Sequence, residues 1–317
     1  MEIIKVVREY KPDLLLAVGG GSVLDATKFI SAAASLDPSV DAWDIISKGA
    51  FPEKAIPVGS IITLPATGSE WNNTFVISRE DRKEKNYGGA QITYPKFSII
   101  DPRYTMTLPQ RQIRNGLFDA MIHCTDQVIT GDKCPMADNF FFSVMKELVD
   151  ISTGLLQPDA SLELHERLIV ASEFAQNQIF AYGKTPYWEV HLTAQPLTPM
   201  YGIDHAATLA IVAPVLYERL KESRKETMAE AAEYVFGVHE GTVDQKADKF
   251  IEGIRNFAIK LGMPLKVSDF PNASKIQEGD VKFLVERALE LGRGQQYGYN
   301  NELNAKVVEE ILSKVVQ

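Results

Sequence analysis

One aspartate and three of the five histidines have the types and positions expected of metal ligands. Asp119 and His123 are four residues apart in the stretch NGLFDAMIH, so a helix would place both side chains on one face, one turn apart. His191 and His205 follow in WEVHLTAQPLTPMYGIDHAATL. Carboxylate and neutral imidazole suit iron or zinc without any sulfur ligand. These four side chains form a candidate metal-binding set.

The Asp119/His123 pair also has a simpler interpretation, a partly buried hydrogen-bonded pair without a metal. If the set does bind a metal, a four-ligand Fe(II) shell leaves room for a substrate oxygen, whereas a Zn(II) shell would have to expand to admit one. The other two histidines, His165 and His239, lie in charged segments of helical pattern and have no evident chemical neighbours.

A glycine loop near the start of the chain favours an anion-binding site. Residues 14–18 are an apolar run typical of a buried parallel strand, and residues 19–22 (GGGS) lead from it into a helical pattern. Such a loop permits close backbone approach, and the free amides of the helix N-terminus attract a pyrophosphate. The loop is neither GxGxxG nor a P-loop, so plain turn chemistry is an equal alternative. If there is no cofactor, the simpler interpretation of Asp25 and Lys28 is an i, i+3 surface ion pair.

A second small-residue loop, residues 65–70, follows the strand pattern at residues 55–64. Open α/β sheets bind ligands at this carboxyl end of their strands. Two further short strands are predicted at residues 75–78 and 97–100, with an exposed turn at 77–89 between them. Lys85 in this turn could reach a phosphate or ribose, although a solvated lysine is the simpler interpretation.

The chain of 317 residues is long enough for two domains, and its pattern changes at about residue 105. Beyond that point helical periodicity dominates, and helices are predicted at residues 137–155, 162–180, 225–238, 245–261 and 280–291. We therefore expect an α/β nucleotide-binding domain at residues 1–105 and an all-α domain at 106–317, with the ligands in the cleft between them.

Composition excludes several classes of partner. The net charge of −9 argues against nucleic acid or an anionic membrane surface. Apolar runs stay well below the roughly 18 residues that span a bilayer, so no membrane partner is expected. Two cysteines without metal-type spacing fit a reducing compartment, the cytoplasm.

The segments GGGSVLDATK, LPATGSE and NGLFDAMIH and the His191/His205 pair, in this order, resemble the iron-containing alcohol dehydrogenase family. The similarity runs over essentially the whole chain and is greatest to the branch of NADPH-dependent aldehyde reductases and butanol dehydrogenases. The resemblance implies a dehydroquinate synthase-like fold, with an α/β N-terminal dinucleotide-binding domain, here incomplete, and an all-α C-terminal domain.

The resemblance also implies the chemistry. Fe(II) or Zn(II), held by Asp119, His123, His191 and His205, would act as a Lewis acid on the substrate oxygen. Hydride would pass between NADP(H) or NAD(H) and a small aliphatic aldehyde or alcohol. Cofactor contacts are implied at nine positions: Gly20, Gly21, Ser22, Asp25, Thr63, Leu64, Thr67, Ser69 and Lys85.

The chain departs from the family pattern in two places. Gln195 stands where members usually carry a further histidine near the substrate, and an amide cannot exchange a proton near neutral pH; Tyr201 is a possible partial substitute. The chain also starts after the position expected for the family's first strands. The residues that choose NADP or NAD are therefore expected to be absent, and a homodimer is expected to be weakened.

Three alternatives follow from the same residues. One is a catalytically impaired, metal-binding remnant of this family. Another is a polyol dehydrogenase resembling glycerol dehydrogenase. The third is a metal hydrolase that uses the same ligands to activate water.

Overall fold

The alternation of apolar runs and glycine loops in the first third of the chain produces an α/β unit. The computed structural model describes residues 2–271 and 273–316. The α/β unit consists of these elements: α1 (Glu2–Tyr10), β1 (Leu15–Gly19), α2 (Gly21–Ala34), α3 (Asp44–Ser47), β2 (Val58–Ile62), β3 (Thr74–Arg79), β4 (Glu84–Gly89) and β5 (Phe97–Ile100).

A helical part follows, and its helices enclose the largest apolar core of the described residues. They are α4 (Gln110–Val128), α5 (Pro135–Leu155), α6 (Leu162–Ala175), α7 (Glu189–Ala194), α8 (Leu197–Tyr201), α9 (His205–Phe236), α10 (Val243–Lys260), α11 (Asp280–Leu291) and α12 (Ala305–Val315). A short antiparallel pair, β6 (Gln296–Tyr297) and β7 (Leu303–Asn304), precedes α12. The predicted fold class, an α/β part followed by a helical part, is confirmed. None of the described helices combines the length and the apolar character needed to cross a membrane.

Strands β1, β2 and β5 form a parallel sheet in the order β1–β2–β5. Ala17 of β1 and Ile62 of β2 pack on Leu24 of α2. Because the strands are parallel, their carboxyl ends meet at one edge of the sheet. The GGGS loop and the loop after β2 both leave from that edge, and the backbone amide of Thr63 donates to the carbonyl of Gly19 (3.0 Å).

The opposite face of this sheet is open, which corrects the prediction of fully buried strands. Leu16 and Val18 of β1 are 50% and 56% exposed, and Phe97 and Ile99 of β5 are 45% and 46% exposed. A parallel strand is buried on both sides only when helices cover both faces of its sheet. Among the described residues, the exposed face carries no such cover.

Two further predictions were incomplete. Residues 77–89, predicted as an exposed turn, form most of the antiparallel hairpin β3–β4, in which Ser78 pairs with Lys85. The hairpin is stabilised by contacts distant in sequence, such as the bond from the Val76 amide to Asp25 (2.9 Å). The helix predicted at 225–238 is only the second half of α9, which begins at His205. The first half was not predicted because it is buried on all sides and therefore lacks amphipathic periodicity.

Candidate active site

Three helices bring the four predicted ligands together. Asp119 and His123 lie on one face of α4, His191 lies on α7, and His205 is the first residue of α9. Gly116, one turn before Asp119, permits a close approach of α4 to the loop after β2. A Cβ atom at Gly116 would lie 2.4 Å from the Pro65 carbonyl oxygen, so only glycine fits there.

The three imidazoles converge on a single carboxylate oxygen. Asp119 Oδ1 lies 3.7 Å from the Nε2 atoms of His123 and His191 and 3.8 Å from that of His205. The rings of His123 and His191 are stacked, with centroids 4.8 Å apart and planes 8° apart. Trp188 stands edge-on to both rings and closes one side of the group.

This arrangement fits a divalent metal ion. Distances of 3.7–3.8 Å are too long for hydrogen bonds, and within the described part of the chain Asp119 Oδ1 and His191 Nε2 have no hydrogen-bond partner. Buried polar atoms are rarely left in that state. An ion bound at about 2.0–2.2 Å from each atom would satisfy them, since ligand atoms on one ion lie about 3–4 Å apart. One carboxylate and three imidazoles suit iron or zinc.

The electrostatics of the site keep the carboxylate charged and two of the imidazoles neutral. Burial raises the pKa of Asp119, but the neighbouring His123, His191 and His205 outweigh burial and hold that pKa well below its ordinary value. Burial lowers the pKa of His123 to about 4 and that of His205 well below its ordinary value. These two rings therefore carry the free lone pair that a metal requires.

His191 differs from the other two imidazoles. Burial lowers its pKa, but the carboxylates of Asp119 and Asp126 outweigh burial and raise the pKa to about 9. A metal that binds His191 must therefore displace a proton from its ring.

The two predicted cofactor loops touch each other. A Cβ atom at Gly21 would lie 2.5 Å from Thr67 Cγ2, and one at Gly20 would lie 3.1 Å from Leu64 Cβ. The glycines are thus required for this contact between the loops. Ser22 is exposed in the first turn of α2, which begins two residues after the end of β1, at the sheet edge where Thr63 also lies.

Asp25, Lys28 and Ser69 form a buried network, which corrects the alternative of a surface ion pair. Ser69 Oγ donates to Asp25 Oδ1 (2.6 Å), and Lys28 Nζ donates to Ser69 Oγ (2.8 Å) and to the carbonyls of Asn72 (2.8 Å) and Thr74 (2.9 Å). Lys28 is fully buried. The network fixes the loop after β2 against α2, so Asp25 and Ser69 act at least as its supports.

Lys85 lies on β4, between the two halves of the site. Its ammonium interacts with the charges of Asp119 and Asp25, and burial lowers its pKa to about 8. Lys85 is half-buried, so it is not a fully solvated lysine. Gln195, buried at the end of α7, donates from Nε2 to the backbone carbonyl of Lys85 (2.7 Å). Tyr201 is buried elsewhere and donates to Asp280 Oδ2 (3.0 Å), so its hydroxyl does not replace the histidine expected at position 195.

Asp126 is the main residue that the sequence analysis missed. It accepts hydrogen bonds from the backbone and the ring of His191. The sequence carries a signal for it, because Asp119, His123 and Asp126 are spaced i, i+4, i+7, which is one helix face.

Known proteins match this chain along its whole length. Residues 1–102 match the family described as iron-containing alcohol dehydrogenase, and residues 113–316 match the C-terminal domain of the Fe-containing alcohol dehydrogenase family. The NADPH-dependent aldehyde reductase YqhD of Escherichia coli is 36% identical over 98% of this chain and 80% of its own length. The probable NADH-dependent butanol dehydrogenase 1 of Bacillus subtilis is 32% identical over 98% of this chain and 78% of its own length.

Solved structures agree. The crystal structure of E. coli YqhD superposes with a TM-score of 0.93 at 35% identity and covers 99% of this chain and 80% of the YqhD chain. The NADH-dependent butanol dehydrogenase A of Thermotoga maritima gives a TM-score of 0.92 at 29% identity, with coverage of 100% and 79%. Two matched domains, relatives that align over almost the whole chain and a shared fold lead to one conclusion: this chain belongs to the iron-containing alcohol dehydrogenase family.

Proposed function

We propose that this protein is an oxidoreductase that transfers a hydride between NADP(H) or NAD(H) and a small aliphatic aldehyde or alcohol. The metal, Fe(II) or Zn(II), is held by Asp119, His123, His191 and His205. The observation that carries the proposal is the convergence of three imidazole nitrogens on one buried carboxylate oxygen. The substrate class and the cofactor are supported by relatives named as aldehyde reductase and butanol dehydrogenases.

The residues of the chain divide the work between binding and orientation. Gly20, Gly21 and the first turn of α2 offer backbone amides to the pyrophosphate of the cofactor. Lys85 supplies a positive charge between the nucleotide loops and Asp119. When bound, the divalent ion supplies a Lewis acid that stabilises negative charge on the substrate oxygen. Burial of Asp119 and His123 keeps bulk water away from one side of the group.

Gln195 distinguishes this site from one with a histidine at that position. An amide neither takes up nor releases a proton near neutral pH, so Gln195 does not relay the proton that accompanies hydride transfer. We assign Gln195 a structural part, the attachment of β4 to the end of α7.

Loss of nicotinamide absorbance tests the proposal. The protein is reconstituted without oxygen with Fe(II) or Zn(II) and receives NADPH or NADH with butanal. We expect metal-dependent oxidation of the cofactor, and we expect His205→Ala to reduce the rate by about a hundredfold or more, the scale of losing one electrostatic stabiliser. His239→Ala, which changes an exposed histidine, is the matched control and should keep full activity.

The test also separates the alternatives. Tight metal binding without cofactor oxidation would identify a catalytically impaired remnant. Oxidation of glycerol but not of butanol, with reduction of NADP or NAD, would identify a polyol dehydrogenase. Metal-dependent ester cleavage without any nicotinamide reaction would identify a hydrolase and overturn the proposal.

We further propose a reducing compartment, the cytoplasm, and weak assembly as a homodimer. Both cysteines are free, and Cys124 is buried in α4 beside His123, a position that fits a thiol kept reduced. The open apolar face of the sheet, which exposes Val18 of β1 and Phe97 of β5, supports self-association, because exposed apolar patches commonly mark interaction surfaces.

A further inference from the structure

Asp126 lies on the same face of α4 as Asp119 and His123, one turn further along. Its side chain is buried and points at α7 and not into the group of ligands. Three N–H groups of α7 meet the carboxylate. Asp126 Oδ1 accepts from the Val190 amide (2.9 Å), and Oδ2 accepts from the His191 amide (3.0 Å) and from His191 Nδ1 (2.7 Å).

The bond to Nδ1 determines which ring nitrogen of His191 carries a proton. An ionised carboxylate only accepts hydrogen bonds, so Nδ1 must be the donor. In a neutral ring the lone pair is then on Nε2, the atom that lies 3.7 Å from Asp119 Oδ1. The two backbone bonds fix the carboxylate itself, and the ring consequently has one orientation and one tautomer.

We propose that Asp126 is a positioning residue that holds His191 with its Nε2 directed at the metal. The inference rests on the proposed function, because it assumes that the ligand group binds a divalent ion. Asp126 does not touch the ion. It acts through the imidazole, as the carboxylate partners of other metal-bound histidines do.

Only a carboxylate satisfies all three donors. An asparagine has one oxygen, so its amide group must face either the Val190 amide or His191 Nδ1. If it faces Nδ1, that atom must become the acceptor, and the proton moves to Nε2, where it blocks the metal. If it faces the Val190 amide, two donors oppose each other and the start of α7 is displaced.

A purely structural part for Asp126 is the competing explanation, since α7 has other buried anchors. Glu189 accepts from Arg224 (2.6 Å) and from the Tyr299 amide (2.7 Å), and these bonds hold the helix independently of the metal. The experiment must therefore separate an effect on metal binding from an effect on folding.

Metal affinity measured with Co(II) makes this separation. The apoprotein is titrated with Co(II) against a chelator, and the visible spectrum of the bound ion is recorded. The titration contains neither cofactor nor substrate. We expect Asp126→Asn to weaken Co(II) binding by about 10–100-fold and to change the spectrum of the bound ion. Asp280→Asn, which alters a buried aspartate that bonds Tyr201 and the Gln277 amide, should leave Co(II) affinity within about twofold.

A double-mutant cycle with His191→Ala decides between the two explanations. If Asp126 acts through His191, Asp126→Asn should change Co(II) affinity by less than about twofold once the imidazole is gone. An equal loss in both backgrounds, or no loss in either, would overturn the inference. If Asp126→Asn does not fold, Asp126→Glu keeps the carboxylate on a longer stem and should give an intermediate affinity. Failure of the unmodified protein to bind Co(II) would instead refute the proposed function.

Discussion

At the residue scale, the candidate site consists of ionisable groups whose neighbours determine their charge. Asp119 stays ionised although it is buried, because the surrounding imidazoles, of which His191 carries a proton, outweigh burial. His123 and His205 are neutral because burial outweighs that carboxylate, whereas His191, between Asp119 and Asp126, keeps its proton. A metal ion that binds here therefore finds the Asp119 carboxylate already ionised and the rings of His123 and His205 already neutral. It must displace one proton from His191.

The structural role assigned to Gln195 can be tested by a single substitution. Gln195→Leu keeps the approximate volume but removes the donor to the part-buried Lys85 carbonyl and with it the bond between α7 and β4. We expect the free energy of unfolding to fall by about 1–3 kcal/mol, measured by urea denaturation. In the matched control Gln157→Leu, an exposed glutamine loses a bond to the Thr153 carbonyl, and the change should stay within about 0.5 kcal/mol. Equal effects of the two substitutions would contradict the role assigned to Gln195.

At the element scale, the loop after β2 connects the sheet to the helical part. Its Pro65 carbonyl contacts Gly116 of α4, its Ser69 is held by Lys28 of α2, and Asn72 donates to Gln176 at the end of α6 (2.6 Å). The loop that meets the glycine loop is therefore also fixed to the helix that carries Asp119. This arrangement brings the predicted nucleotide site and the predicted metal site together.

Glu70 in this loop and Glu173 of α6 are both buried, and their carboxyl groups interact. Burial, together with the neighbouring carboxyl of Glu70, raises the pKa of Glu173 to about 10. Lys28 is the cation that faces Glu70. The Glu173 carboxyl is therefore neutral at neutral pH.

This proton makes stability depend on pH. An unfolded glutamate has a pKa of about 4.3, so above that pH the folded chain binds the extra proton and the unfolded chain does not. The contribution of Glu173 to stability is complete below about pH 4 and is lost progressively as pH rises towards 10. In Glu173→Gln an amide replaces the protonated carboxyl. When the pH is raised from about 6 to about 9, the free energy of unfolding of this variant should fall by less than that of the unmodified protein.

Chemical denaturation at the two pH values measures the difference. Glu166→Gln, an exposed position on the same helix, is the control and should behave like the unmodified protein. Parallel declines for Glu173→Gln and the unmodified protein would show that the Glu173 carboxyl holds no such proton.

At the scale of the whole molecule, the site lies where the parallel sheet meets the helical core. One face of the sheet packs on α2, while the other presents a continuous apolar surface that includes Leu16, Val18, Phe97 and Ile99. The register places these side chains in adjacent rows, and the ring of Phe97 lies over Gly59. Such a surface is costly to leave in water, which is the physical basis of the proposed homodimer.

Light scattering tests the homodimer. We expect the mass of the unmodified protein to approach that of two chains as its concentration rises, and Val18→Lys to weaken association by at least about tenfold, since burying one valine contributes about 1.5 kcal/mol. Ile259→Lys, at an exposed position on α10, is the matched control and should leave the mass unchanged. A single-chain mass for the unmodified protein at all concentrations would exclude association through this face.

Local patterns in the sequence determined much of the architecture. The strand–glycine loop–helix order, the change to helices near residue 105 and the pairing of Asp119 with His123 on one helix face all depend on residues close in the chain. The family resemblance came from short motifs of the same kind, and it is confirmed. The domain boundary and the individual ligand and cofactor contacts stay predictions.

Tertiary structure decided what depends on distant residues. The hairpin β3–β4 contains a polar segment whose sequence alone is typical of a turn. A hydrogen bond from the Val76 amide to the distant Asp25 stabilises it. Lys85 and Lys28 look like surface lysines until the fold surrounds them with acceptors and carboxylates. Asp126 acquires its partners from residues 64 and 65 positions away. Local sequence specifies helices and strands through periodicity, but burial and charge environment arise only when those elements pack, because each depends on atoms that the packing brings near.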